Sequence, residues 1–239
     1  FGTSTQKDRH YNTPRTWFAQ RYLSPVAAKG QEPEDNDMPF IRKAEFKIAV
    51  EDVQYVLKSH FNETKYDPMG TAPERKTYRA ISLSRTAESH ILQLRDPQQF
   101  QTSIHWQELG VPAFNPYVPF FANTTDTDES YRVVPNKMDL KSAYWLNEAL
   151  AEVVESHYTE FIEQDENYQK ELNEWGRRKI TEVDQKAQAL TGEELTAYLT
   201  SENHVIASHY NQRTKELLFD LLTQGCELSQ MSFKMDPNL

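Results

Sequence analysis

ESHILQLR, residues 88–95, sets Leu92 and Leu94 two apart among polar neighbours, which is the period of an extended strand. This short run decides the fold class, because the chain from about Lys141 onward has helical spacing instead. Before it lies YRAISLS, residues 78–84, separated by Arg85-Thr86-Ala87, and the two runs read as a β-hairpin. After it, QTSIHWQEL (101–109) and YVPFFANTT (117–125) extend the same sheet. Their density of Phe, Tyr, Trp and Ile suits a buried, pleated surface.

On the C-terminal side the period changes. Leu146, Leu150, Val153, His157 and Phe161 form one stripe at helical spacing, and a thinner stripe of Leu172, Trp175, Val183 and Leu190 follows. TGEEL, residues 191–195, reads as a capping box with Thr191 as the cap. Leu217, Leu218, Leu221 and Leu222 make an apolar patch, and Gly225 suits a helix C-cap. On the N-terminal side, PRTWFAQRYL (14–23) opens a helix at Pro14, whose missing N–H costs nothing in a first turn. KGQEPEDNDMP (29–39) is an acidic loop, and AVEDVQYVLKSHF (49–61) has helical spacing through Val50, Val53, Val56 or Leu57, and Phe61. Helices, then a sheet, then helices give an α+β chain, with the division drawn between residues 1–140 and 141–239.

Composition narrows the function classes. A mean hydropathy of −0.78 marks a very polar protein. Its 12 Phe, 12 Tyr and 4 Trp nevertheless exclude a disordered chain. A formal charge of −10 and the lack of any basic run argue against nucleic acid as a partner. No apolar segment is long enough to span a bilayer, so a membrane partner is not expected either. The single Cys, Cys226, excludes an internal disulfide and suits the reducing cytoplasm.

Candidate chemistry is sparse. His204 and His209 are five apart, whereas two ligands on one helical face need a spacing of four. Glu88 and His90 point to one side of a strand, and a metal hydrolase would need a third, distant ligand. DTDES (126–130) opens like a calcium loop but has Tyr131 where Gly is required and Lys137 where Glu is required. Glu32, Glu34, Asp35 and Asp37 read as a solvated charge run. No metal and no cofactor are expected. Neither Gly-x-Ser-x-Gly nor a Gly-rich phosphate loop occurs. Cys226 follows a helix C-terminus, where the dipole disfavours thiolate.

There remains HYNTPRTWF, residues 10–18. Asn12 in a turn can aim its amide N–H at a developing oxyanion. The more usual role of an Asn at such a place is to cap the helix, here the one that opens at Pro14.

HYNTPRTWF, HFNETKYDPMG (60–70), YRAISLSRTAESHILQLR (78–95), PAFNPYVPFFANTTDT (112–127) and AYWLNEALAEVVESHY (143–158), in this order, resemble the cysteine dipeptidases of lactic-acid bacteria, the dipeptidase A family. The resemblance runs over essentially the whole chain and is weakest over 163–203. It implies the four-layer αββα sandwich of N-terminal-nucleophile hydrolases, here with a mostly helical C-terminal region. It also implies a cytoplasmic, metal-free peptidase acting on dipeptides. In such enzymes the first residue of the mature chain is a Cys whose α-amine serves as base; a free α-amine titrates near neutral pH, at roughly 7.7–8.0. Phe1 is no nucleophile. By this resemblance the chain corresponds to the C-terminal half of such an enzyme and lacks the nucleophile, so it is expected to be inactive alone. Its partners would be the missing N-terminal half and a further copy, because half a sandwich exposes sheet that must pair. Asn-Thr-Pro at 12–14 is similar to a turn that places an Asn beside substrate and oxyanion in the related choloylglycine hydrolases, which gives Asn12 that role. PFIRKAEF (39–46) resembles the segment where the wider group places an active-site Arg; Pro39 stands at the matching position, and Arg42 is the nearby candidate. Arg85, Glu88 and His90 are given no role beyond the sheet. The competing reading is a non-catalytic acidic module that binds a protein partner through an exposed apolar patch.

Overall fold

The computed structural model describes residues 5–228; Phe1, on which the expected lack of a nucleophile rests, lies outside them. The protein is α+β, and its contacts divide it into two units after Ala122 rather than after Leu140.

In the first unit, helix α1 spans Gln6–Leu23, starting eight residues before Pro14. Its cap is Thr5, whose Oγ1 accepts from the Asp8 N–H at 3.1 Å. Asn12 therefore lies in mid-helix, neither in a turn nor at a cap, and Pro14 is an interior residue. An interior Pro costs a helix about 3 kcal/mol. Burial of Trp17 and Phe18 on the same helix returns about 1.5–3 kcal/mol each, so tertiary packing overrides the local stop signal. Helix α2 is shorter than its periodicity implies, Val50–Leu57. Phe61 falls beyond it, in a tight turn with φ of 68°, and is fully buried. Trp17, Phe18, Phe61 and Tyr66 form an aromatic core with Met38 and Ala80.

Among the described residues the sheet has three antiparallel strands in the order β1 (Glu88–Gln93), β2 (Ile104–Leu109) and β3 (Val118–Phe121). Residues 78–84 are not a strand, so the hairpin partner of β1 is β2, with Ile91 opposite Trp106 and Leu92 opposite His105. The physical reason lies in the backbone of that segment. The N–H groups of Ile81 and Ser82 both donate to the Ser59 carbonyl, at 3.1 and 2.9 Å. Ile81 and Leu83 pack on the aromatic core, so this segment is held against Ser59 and that core rather than beside β1. Within the sheet, Ile104, Trp106 and Phe121 are buried, while Leu92 is 65% exposed and Leu94, just past the end of β1, is 87% exposed. The alternation of period two is real, and its leucine side is the wet one.

In the second unit, α3 (Glu129–Arg132), α4 (Ala143–Ser156), α5 (Tyr158–Ala187) and α6 (Gly192–Glu227) contribute all the regular structure of the described residues. The expected continuous stripe is broken at His157, which separates α4 from α5 with φ of −128°. Helices α5 and α6 run antiparallel, because Gln164 pairs with Gln224, Tyr168 with Thr214, and Lys179 with Glu202. Tyr210 donates to the Leu172 carbonyl at 2.8 Å from a fully buried position. Thr191 occupies the cap position of α6, but its side chain makes no capping bond. Gly225 is not a C-cap; the helix continues through it to Glu227. Residues 123–142 belong with these helices: His204 pairs with Asp128 at 2.9 Å and Asn211 donates to Ser130 Oγ at 2.8 Å. These bonds move the division upstream of residue 140.

Candidate active site

Because α1 is continuous through Asn12, its residues Asn12, Thr16, Ala19 and Leu23 share one face. That face forms one wall of an open cleft of about 570 Å³ in the first unit. The loop after α1 brings Phe40, Arg42 and Ile48 to the same cleft, and Val56, Leu57 and Ile81 complete an apolar side. Asn12 and Arg42, the two site residues that the resemblance suggested, therefore line one cleft.

The orientation of the Asn12 amide follows from its neighbour. Arg15, one turn on, donates from Nη2 to Asn12 Oδ1 and from Nε to the Tyr11 carbonyl at 3.0 Å. A guanidinium has donors only, so the amide oxygen must face Arg15, and Nδ2 is the group left to donate elsewhere. Arg15 was not a candidate from sequence; the helical face that carries it was hidden by the reading of a turn at 12–14. Burial, and then the charge of Arg79, lower the Arg15 guanidinium below its usual range. Burial disfavours a charge of either sign, whereas the Arg79 charge adds positive potential beside Arg15.

Two more polar groups reach the cleft. Gln20 donates through Nε2 to the Pro39 carbonyl at 2.8 Å, which anchors the loop carrying Arg42. Ser24 Oγ donates to the Lys43 carbonyl at 2.9 Å on the other side of that residue. The Arg42 side chain thus hangs from a loop pinned to α1 at both flanks.

The remaining candidates are dispersed. His204 serves Asp128, and His209 stacks on Trp175 with ring centroids 3.9 Å apart. Glu34 pairs with His10 at 2.9 Å, and Asp35 accepts from the Glu32 N–H at 2.8 Å, so this acidic run is built into its own loop. Glu88 pairs with His90, whose ring is 5.5 Å from that of His105. Among the described residues no group of three or more His, Cys, Asp or Glu side chains is arranged to hold a metal ion. Cys226 is exposed in the last turn of α6. No helix of the described residues is long and apolar enough to cross a membrane.

Fold and site together define an α+β protein whose cleft combines an oriented amide donor, guanidinium groups and an apolar wall. The chain belongs to peptidase family C69, which it matches over residues 1–171. It is 56% identical over its whole length to a probable dipeptidase of Latilactobacillus sakei, covering 50% of that protein. It is 32% identical to dipeptidase A of Lactobacillus helveticus and 35% identical to probable dipeptidase B of Lactococcus lactis. In both cases 98% of this chain is matched, against 50% and 49% of the relative. The chain thus spans about half the length of the curated relatives it matches.

Proposed function

We propose that this chain is the C-terminal half of a thiol-dependent dipeptidase, and that the half outside this sequence carries an N-terminal Cys nucleophile. The convergence of Asn12 and Arg42 on one cleft, in a chain of a peptidase family, carries this reading. In the reaction, the thiol of the absent half attacks the scissile carbonyl while the α-amine takes its proton. Asn12 Nδ2 donates to the oxyanion that forms. Collapse, with the α-ammonium returning its proton to the leaving nitrogen, expels the second residue as a free amine and leaves a thioester, which water, deprotonated by the α-amine, hydrolyses to regenerate the thiol. Arg42 orients the dipeptide. The three-stranded sheet becomes part of a four-layer αββα sandwich when the two halves combine, and the assembled enzyme is a homo-oligomer. A thiol nucleophile suits the reducing cytoplasm.

The test is an assay of dipeptide hydrolysis by the complete polypeptide and by the 239-residue chain alone. The complete polypeptide should cleave dipeptides without added metal and lose activity on alkylation, and Cys226→Ser should leave both properties intact. The chain alone should be inactive. Hydrolysis by the chain alone, or alkylation sensitivity abolished by Cys226→Ser, refutes a nucleophile outside this sequence.

A further inference from the structure

Two residues that line the cleft each carry a buried polar atom with no hydrogen-bond partner among the described residues: Arg42 at Nη1 and Gln20 at Oε1. The first is charged, and leaving a buried guanidinium N–H unmet is costly. Its geometry suits a carboxylate, which accepts directional, charge-assisted hydrogen bonds from the fork of an arginine. The second is an acceptor only. Gln20 Nε2 is held by the Pro39 carbonyl, so the amide is fixed and its oxygen can take one N–H. Beside these, Val56, Leu57, Ile48 and Ile81 offer apolar surface at the same cleft. A donor of positive charge, an acceptor and an apolar wall match three features of one chemical unit: a carboxylate, the amide N–H next to it, and the side chain between them.

Building on the dipeptidase reading, we infer that the cleft selects substrates whose second residue is apolar and ends in a free α-carboxylate. Arg42 Nη1 donates to the carboxylate, Gln20 Oε1 accepts from the peptide N–H, and the apolar wall takes the side chain. The cleft excludes longer peptides by the same contact, because an extended chain replaces the carboxylate with a neutral amide that leaves Arg42 unmatched.

The experiment compares Ala-Leu, Ala-Leu-amide and Ala-Gly as substrates of the complete enzyme. The native enzyme should favour Ala-Leu over its amide by about 10- to 100-fold in kcat/KM, mainly through KM. Arg42→Gln should bring the two within about threefold of each other, and Arg42→Lys, which keeps the charge without the fork, should restore part of the preference. Val56→Thr, nearly isosteric, should lower Ala-Leu turnover and spare Ala-Gly. Thermal unfolding of each variant establishes that it folds. If Arg42→Gln weakens Ala-Leu and its amide equally in a folded enzyme, the carboxylate assignment is overturned while the dipeptidase reading stands. If the complete enzyme cleaves no dipeptide, that reading falls, and the inference with it.

Discussion

The substitution Asn12→Asp separates a catalytic amide from a structural one. The side chains are nearly isosteric and have similar helix propensities, so α1 should persist. The new carboxylate would accept from the Arg15 guanidinium as Asn12 Oδ1 does now, and the hydrogen bond to a neutral amide becomes an ion pair. At a half-exposed site such a pair is worth about 0.2–1 kcal/mol, so the melting temperature should hold or rise slightly. The reacting side changes completely. The Nδ2 donor is replaced by a second carboxylate oxygen, which repels an oxyanion instead of stabilising it. Loss of one preorganised donor costs about 10²–10³ in kcat, and the added negative charge makes Asn12→Asp no more active than Asn12→Ala. Steady-state kinetics of the complete enzyme should therefore show kcat down by about 100-fold or more with no loss in Tm. Activity within about threefold of native, with the fold intact, would refute the oxyanion role and leave Asn12 as a helix residue tied to Arg15.

Other expectations concern the helical unit. Burial pushes the Asp128 carboxyl up, but hydrogen bonds from His204 and Ser130 outweigh this and hold it below the usual range. A lowered carboxylate pKa stabilises the folded state above the unfolded value, near 3.9, and that contribution fades as pH falls through the folded pKa. Asp128→Ala should then cost about 1 kcal/mol at pH 7 and much less near pH 2; an equal cost at both would refute the linkage. His209 stacks on Trp175, and burial, then Arg213, lower its pKa. Quenching of Trp175 emission by imidazolium should therefore set in below about pH 6.5 and vanish in His209→Gln, whereas a transition above that value would contradict the burial.

The sequence alone was enough for the α+β class, because a period of two at 88–95 and a helical period beyond 141 leave little choice of element. The same periodicity left two things open. It could not say which side of β1 is buried, since alternation defines two faces and only packing against the register of β2 chooses between them. Nor could it say that α1 passes through Pro14, because the local cost of an interior Pro is visible in the sequence and the burial of Trp17 and Phe18 that outweighs it is not. That second point hid the site. Asn12 was legible as a residue type able to donate, and Arg42 only through the resemblance of residues 39–46, but their shared cleft exists only because a continuous helix presents Asn12, Thr16 and Gln20 towards a loop it has itself pinned. Residue chemistry is written one position at a time, whereas a site depends on contacts between α1 and a loop some 20 residues further along the chain, and only the packed tertiary structure supplies them.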